Sequence, residues 1–528
     1  MNYADLFRVT LPETALEVAA LLVLVMDLAF LRKAALKVRA AVAALLGVAG
    51  CGVALWAMQD STDGSPLFSG YRYNGELLLA RHGYVGAAQA GILILTALTL
   101  LLMIDSAFTK HVGEYVAVVL MAATGGLLIA AAQDLLVIFV GLELLSLGLY
   151  IMTAFAKSSG KSAEAAMKYY LFGGMSAAFL LFGFSYFYGL TGSTNLNEIN
   201  AALLSQGPSP LLYVAWILII AGLGFKIAAV PFHLWAPDTY EGAPAPAAAF
   251  IASVSKVASF ALLLTICGGM VTIHGFRPLN EFERLSQLYF RTWWGLYDIL
   301  LVLAAISMIV GNLAALAQTS VRRLLAYSAI AHAGYILLGV GTHPLPPQPG
   351  TEMVSVGIEN VLQAMINRQA PVIYYVLTYG LTVIGAFGVV SVVERATGSD
   401  RFDSFLGLHK RNPLLAAVLL VLFLSLAGIP PLVGFWAKFN LFAAVLGVSA
   451  GPIPFALVTL AVAFSVVSLY YYLQVLKRVY VMPATDETPI KAHPVTLAVH
   501  LLITAAVVVL GCFPALLLRW IDSFYRVM

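Results

Sequence analysis

Apolar runs of about 20 residues recur along the whole chain, each the length that an α-helix needs to cross the hydrocarbon core of a bilayer. The segments between the runs are mostly short, so we expect one helical bundle and not several domains. The pattern predicts fourteen spanning helices, over 12–31, 40–58, 83–104, 114–132, 134–155, 166–190, 211–236, 243–267, 296–317, 324–341, 371–393, 413–446, 454–476 and 495–518.

The composition supports a polytopic membrane protein. Hydrophobic residues make up 61% of the 528 residues and charged residues only 10%, whereas soluble domains have about 25% charged residues. The net charge of +3 comes from basic residues in short loops, so it does not indicate nucleic-acid binding. The first apolar run contains Glu13, Glu17 and Asp27 and has no basic stretch before it, so we expect no cleavable signal peptide.

The placement of basic residues predicts the orientation. If the amino terminus lies outside, most Lys and Arg residues fall in inside-facing loops, so the positive-inside rule predicts that both termini face outside. Of the 29 Lys and Arg residues, three lie in no loop but within predicted spans. These three are Lys226, Lys256 and Lys438.

Two parts of the chain resemble each other at a constant offset. The segment "YYLFGGMSAAFLLFGF" from Tyr169 resembles "YYVLTYGLTVIGAFGV" from Tyr374, and two dipeptides recur near the same offset. These dipeptides are Thr191-Gly192 with Thr397-Gly398, and Ala221-Gly222 with Ala427-Gly428. The pattern predicts a five-helix repeat whose second copy is inverted, as in many transporters. Within 1–528 we therefore expect a single all-α membrane domain, with helices 1–3 in 1–104, a first repeat in 114–267, a second in 296–476 and helix 14 in 495–518.

Prolines interrupt two spans at matching places. Pro231 lies in helix 7, and "GIPP", from Gly428 to Pro431, lies in helix 12. A proline removes a backbone donor and leaves a carbonyl without its partner, which a membrane helix tolerates only where the freed groups line a wet or protein-filled cavity. Paired broken helices indicate a transport site. We expect Pro231 to open a polar gap at mid-membrane and Lys226 to use it.

A charge at the centre of a bilayer costs at least ~2.5–3.5 kcal/mol, so each of the three lysines needs a partner. Glu143 in the middle of helix 5 is the natural partner of Lys226, and Glu114 and Asp27 are further acids within spans. Burial favours a neutral amine and a nearby carboxylate favours the ammonium. A lysine balanced between these effects can take up and release a proton.

A structural interpretation stays open for each candidate. Glu143 and Lys226 could clamp two helices together, and Lys438 could extend to the outer interface. Lys256 has no obvious private partner, which favours a role in proton transfer.

Two histidines within spans and one short turn are less informative. His233 and His332 could bridge protonatable sites or be hydrogen-bonded core residues. Turn chemistry explains Pro237, Asp238, Glu241 and Pro244 between helices 7 and 8.

Redox cofactors are not expected in this chain. Cys51, Cys267 and Cys512 are far apart and lack the spacing of metal ligands. The sequence has no glycine-rich nucleotide loop, no haem ligand pair and no Fe–S cysteine set. If redox chemistry drives this protein, it takes place in another chain.

Three motifs carry a family resemblance: "GLGFKIAAVPFHLWAPDTYEGAPAPAAAFIASVSK", "GNLAALAQTSVRRLLAYSAIAHAGY" and "LAGIPPLVGFWAKF". They resemble the antiporter-like membrane subunits of respiratory complex I, NADH:quinone oxidoreductase. The resemblance covers nearly the whole chain. It is greatest to the subunit N type, whose mitochondrial counterpart is subunit 2, because the subunit M type has a glutamate at the position of Lys438.

The resemblance implies a fold of fourteen helices with inverted five-helix repeats and a path for protons. It places Glu143, Lys226, Lys256 and Lys438 on that path, and we add His233, His332 and Glu114 as weaker candidates. It implies that NADH, FMN, Fe–S clusters and quinone are used by partner subunits.

The resemblance also implies partners and a location. The expected partners are the neighbouring antiporter-like subunit M and the small membrane subunits J and K. The first three helices are present, which favours the inner membrane of a bacterium over an animal mitochondrion. Two alternatives stay open: a subunit of a multisubunit cation/proton antiporter or membrane-bound hydrogenase, and a scaffold that does not pump.

The predicted topology can be tested with accessibility tags. Tags at Lys161 and Arg401 should report the inside, and tags at Asn197 and after the last residue should report the outside, because of the distribution of basic residues. Placement of Asn197 and Lys161 on the same side would contradict the fourteen-helix prediction.

Overall fold

The structure is a computed structural model that describes residues 7, 9–60, 70–73, 76–81, 83–106, 108–268, 279–342, 358–448, 451–484 and 488–526. The described chain is almost entirely helical. In chain order its helices are α1 Leu11–Val25, α2 Leu36–Asp60, α3 Tyr84–Met103, α4 Val112–Ala131, α5 Leu135–Thr153, α6 Gly160–Thr191, α7 Leu196–Gln206, α8 Pro210–Ile227, α9 Trp235–Gly242, α10 Ala245–Ala252, α11 Val254–Gly268, α12 Leu279–Leu316, α13 Val321–Gly341, α14 Ile358–Thr397, α15 Leu408–Arg411, α16 Pro413–Ala427, α17 Val433–Val448, α18 Pro452–Tyr480, α19 Pro494–Cys512 and α20 Pro514–Arg526. A short antiparallel pair, β1 Gly70–Tyr73 and β2 Glu76–Ala80, separates α2 from α3.

The helices fit a polytopic membrane protein. In the described part of the chain, 12 helical segments are long and apolar enough to cross a bilayer. The shorter apolar helices α16 and α17 fill the predicted span 413–446. Helix α1, continued by a π-helical turn at Met26–Phe30, covers the predicted span 12–31. The all-α membrane fold is confirmed, and the count of fourteen stays a prediction.

The two predicted helix breaks are present. Helix α8 ends at Ile227 and the chain becomes helical again at Trp235, while α16 ends at Ala427 and α17 begins at Val433. The first residue past each helix has a left-handed backbone, Ala228 with φ 58° and Gly428 with φ 88°. The hydrogen bonds that follow are also the same: Ala229 N to Gly224 O (2.8 Å) and Ile429 N to Leu424 O (3.0 Å).

These matching ends show which residues of the two breaks correspond. Gly428 has Ala228 as its structural counterpart, so the predicted pairing of Gly428 with Gly222 is wrong. A left-handed alanine costs about 1–2 kcal/mol more than a glycine in that position. Because the two positions carry different residue types, the sequence alone does not reveal that they correspond.

A second recurrence supports the predicted repeat. Short bridges join the start of α5 to the loop after α6 and the start of α13 to the loop after α14, through Asp134 with Asn195 and Ser320 with Arg401. The preceding helices α6 and α14 both end at left-handed glycines, Gly192 and Gly398. The inverted five-helix repeat and its domain limits stay predictions.

Several helix ends differ from the prediction for local reasons. The predicted span 243–267 is two helices, and the Ser253 hydroxyl at their junction donates to Ala249 O at 2.6 Å, a bond that bends helices. The predicted span 495–518 ends at Cys512, because Pro514 cannot continue the preceding helix and begins α20. Helix α7 and the β-hairpin were not predicted.

Small residues allow the helices that flank the first break to approach closely. A Cβ on Gly125 of α4 would lie 2.5 Å from the backbone nitrogen of Leu145 on α5. A Cβ on Gly222 of α8 would lie 2.7 Å from Leu180 Cβ on α6. Such contacts are typical of helix packing in membranes, and they hold α5 and α8 in place.

The predicted turn between helices 7 and 8 is instead the helix α9, held by ion pairs. Asp238 bonds to Lys168 of α6 and to Arg323 of α13, both at 2.7 Å. Glu241 bonds to Arg323 at 3.0 Å and to Lys161 at 3.2 Å. Turn chemistry alone was therefore the wrong explanation for these acids, which tie α9 to both predicted repeats.

The charge network should make stability depend on Asp238. Burial alone raises the pKa of Asp238, but hydrogen bonds from Lys168 and Arg323 outweigh this effect and hold its pKa below the usual range. An acid with a lowered pKa stabilises the fold above its unfolded-state pKa, so this contribution should be present above about pH 4 and should disappear as the pH falls further.

Asp238→Asn should lower the free energy of unfolding by up to about 1 kcal/mol near pH 7, measured by thermal unfolding in detergent. The control is Glu164→Gln, because Glu164 is more exposed and pairs with Lys168 only within α6. Equal stability of the two variants would contradict the assigned role of the network.

Candidate functional site

Lys226 lies in the last turn of α8 and is buried. Its ammonium donates a 2.5 Å hydrogen bond to the Ser146 hydroxyl of α5. Glu143 lies one turn earlier on α5, but among the described residues no ion pair joins its carboxylate to Lys226. The expected direct pair is therefore not formed, because the inner side of α5 presents Ser146 to the lysine.

Lys256 of α11 bonds to the first helix break. Its ammonium donates to the carbonyl of Ile227 at 3.2 Å and to the carbonyl of Ala329, on α13, at 2.6 Å. Ile227 is the last residue of α8, so its carbonyl has no partner within that helix. The expectation that Lys226 uses this gap is wrong, since Lys256 occupies it.

Lys438 of α17 bonds to the second break in the same way. Its ammonium donates to the carbonyl of Ala427 at 2.9 Å and to the Ser465 hydroxyl at 2.7 Å. Ala427 is the last residue of α16. Lys438 is 6% exposed, so the alternative that it extends to the interface is excluded.

His332 lies between these two lysines. Its Nδ1 is 2.9 Å from the hydroxyl of Tyr375, and its ring packs against Tyr379 at 4.8 Å and Tyr335 at 5.7 Å between centroids. The Lys256 ammonium is 5.9 Å from the Tyr379 ring centre, and that of Lys438 is 5.4 Å from the Tyr335 ring centre. Both lie within the range of cation–π attraction. The row of buried side chains thus consists of Lys256, Tyr379, His332, Tyr335 and Lys438.

A buried asparagine supports one end of this row. The Asn312 amide of α12 donates to the Tyr335 hydroxyl at 3.2 Å and accepts from the Tyr471 hydroxyl of α18 at 3.2 Å. Asn312 lies within one of the family-like motifs, but its role was not predicted. The only signal available was an amide within an otherwise apolar run.

The other candidates lie apart from the row. His233 is half-buried in the segment after Pro231. Glu114 is in the first turn of α4 and bonds to His111 at 3.0 Å. Asp27 accepts two bonds from Arg39, at 2.6 and 2.7 Å, so it has a partner of its own. Within the described ranges, none of these three residues bonds to one of the three lysines.

Ser146 and Ser465 are the further site residues that the sequence analysis missed. Each hydroxyl accepts a bond from a buried lysine, Lys226 or Lys438. Serine is common in membrane helices, so a serine in an apolar run does not by itself reveal which side chain it meets.

In the described part of the chain, no group of three or more His, Cys, Asp or Glu residues is placed to hold a metal ion. Cys51 and Cys267 are buried and Cys512 is exposed, and all three are free thiols.

The chain matches the family described as "NADH:quinone oxidoreductase/Mrp antiporter, TM" over residues 132–275, 281–345 and 355–465. It is 47% identical to NADH-quinone oxidoreductase subunit N 2 of Acidobacterium capsulatum, over 99% of both chains. It is 31% identical to a chain of respiratory complex I from Thermus thermophilus, covering 96% of this chain and 98% of that one with a TM-score of 0.73. A chain of the Mrp complex from a Dietzia species is 20% identical, covers 100% of this chain and 97% of that one, and has a TM-score of 0.74. This last likeness shows the fold alone. The chain therefore belongs to the NADH-quinone oxidoreductase subunit N family.

Proposed function

We propose that this chain translocates protons through its three buried lysines, as a pumping subunit of a bacterial NADH:quinone oxidoreductase. The observation that carries the proposal is the chemistry around Lys226, Lys256 and Lys438. All three are buried, and among the described residues none forms an ion pair with a carboxylate. Burial favours the neutral amine, whereas the carbonyl and hydroxyl acceptors favour the ammonium. A lysine balanced in this way can change its protonation state in response to a modest change of field.

The spatial order of the lysines supports a direction of transfer. Lys256 bonds to the carbonyl of Ile227, the residue that follows Lys226 in the chain, so the Lys256 ammonium lies at the end of the helix that carries Lys226. Tyr379, His332 and Tyr335 then lead to Lys438 at the second break. We infer that protons pass from Lys226 to Lys256 and then to Lys438, from which they leave outward.

The driving force would come from partner chains. NADH, FMN, Fe–S clusters and quinone would be used there, and quinone reduction would shift charge along the membrane. A shift that draws the Glu143 carboxylate away from Lys226 would remove the charge that favours its ammonium. The proton would then move to Lys256.

The proposed assembly has this chain beside subunit M and the small membrane subunits J and K. We place it in the bacterial inner membrane with both termini on the outer side, as the basic residues predict. The alternative of an antiporter or hydrogenase subunit is not favoured, because the likeness to the Mrp complex extends only to the fold.

Glu143→Gln tests the proposal, since the amide is nearly isosteric and removes only the charge. The variant should assemble, and NADH:quinone activity and proton pumping should fall together by about tenfold or more, because the charge that favours the Lys226 ammonium is lost. The measurement is NADH-driven proton uptake into inverted vesicles, normalised to assembled complex.

The control for this variant is Glu198→Gln, a carboxylate of α7 that accepts a bond from the exposed Ser193 hydroxyl. It should pump like the wild type. Normal pumping by an assembled Glu143→Gln complex would reduce Glu143 to a structural residue.

A further inference from the structure

Helix α5 carries two groups that can accept a hydrogen bond from a lysine, one turn apart. Glu143 and Ser146 are three residues apart, so their side chains are neighbours on the helix surface. Ser146 is 1% exposed and lies on the inner side of α5. Glu143 is partly exposed. In the structure the ammonium is bonded to the neutral hydroxyl and not to the carboxylate.

The hydroxyl of Ser146 is oriented to accept. Its own hydrogen is donated to the carbonyl of Leu142 at 2.5 Å, four residues earlier on α5. The oxygen lone pairs are therefore available to Lys226, whose ammonium can only donate. This geometry holds a charged lysine without neutralising its charge.

The carboxylate of Glu143 lies on the side of α5 that the rest of this chain leaves uncovered. Its neighbours along that side are the exposed residues Leu136, Val140, Leu147 and Ile151. Among the described residues of this chain, none donates a hydrogen bond to Glu143. The carboxylate is thus placed to interact with a group outside this chain, while Ser146 is not.

We propose that Ser146 is a positioning residue that holds the Lys226 ammonium while the Glu143 carboxylate is engaged elsewhere. Lys226 then exchanges between two acceptors on one helix, a carboxylate that fixes its charge and a hydroxyl from which the proton can leave. This inference rests on the proposed function and names a residue to which that function assigned no role.

The test compares four variants in assembled complex by the pH profile of NADH-driven proton uptake into inverted vesicles. Ser146→Ala removes the acceptor, and Ser146→Cys replaces it with a group of similar size that accepts poorly. Both should move the alkaline limb of the profile to lower pH by about one unit, because the charged lysine loses a charge-assisted hydrogen bond. Ser146→Thr keeps the hydroxyl and should therefore show the same pH profile as the wild type.

The matched control is Ser176→Ala. Ser176 of α6 is also a buried serine that contacts α8, but its hydroxyl donates to the backbone carbonyl of Gly222 at 2.9 Å and not to a lysine. It should leave the pH profile unchanged. An unshifted profile for Ser146→Ala, or an equal shift for Ser176→Ala, would overturn the assignment of Ser146.

These results are separable from a failure of the proposed function. Reduced pumping by Glu143→Gln together with a wild-type profile for Ser146→Ala would overturn only the role of Ser146. Normal pumping by an assembled Glu143→Gln complex would remove Glu143 from the relay, and with it the exchange proposed for Lys226.

Discussion

The structure depends on how two backbone carbonyls are satisfied in the middle of a membrane. Each broken helix ends at a residue whose carbonyl has no partner in the helix, and hydrocarbon offers no water to replace it. A lysine ammonium bonds to each of them, Lys256 to Ile227 and Lys438 to Ala427. The need is mutual, since a buried ammonium also requires acceptors. The break and the charge stabilise each other, so a change in the charge of either lysine acts directly on the end of a helix.

The surrounding packing holds this arrangement in position. Nearly all residues of the span from α10 to α11 and of α13 are buried, so Lys256 and His332 lie on two of the innermost elements of the described chain. Tyr379 and Tyr335 lie between Lys256 and Lys438, and Asn312 bonds to Tyr335 and to Tyr471. Helix α9, which follows the first break, is anchored to α6 and α13 by the ion pairs of Asp238 and Glu241. Side-chain hydrogen bonds and ion pairs thus connect the helices that carry the site.

The sequence predicted the features that follow from the bilayer and from single residues. Membrane thickness determines the length of the apolar runs, and Pro231 and Pro431 cannot continue a helix, so spans and breaks could be identified. The partners of the lysines could not, because they depend on how helices rotate against each other. The bond from Lys256 to Ile227 joins residues 29 apart in the chain, and that from Lys256 to Ala329 joins residues 73 apart. The sequence predicted a pair of Glu143 and Lys226 because their charges are opposite. In the structure Lys226 bonds instead to Ser146, which lies three residues after Glu143 on α5.

The central claim is that Lys256 passes on a proton and does not only cap a carbonyl. Arginine can donate to both Ile227 and Ala329, but it is not deprotonated in proteins. Lys256→Arg therefore keeps the cap and removes the proton transfer, while Lys256→Ala removes both. The measurement is NADH-driven proton uptake into inverted vesicles, normalised to assembled complex on a native gel. The account predicts that the arginine variant assembles and pumps as poorly as the alanine variant. Wild-type pumping by the arginine variant, with only the alanine variant impaired, would contradict it.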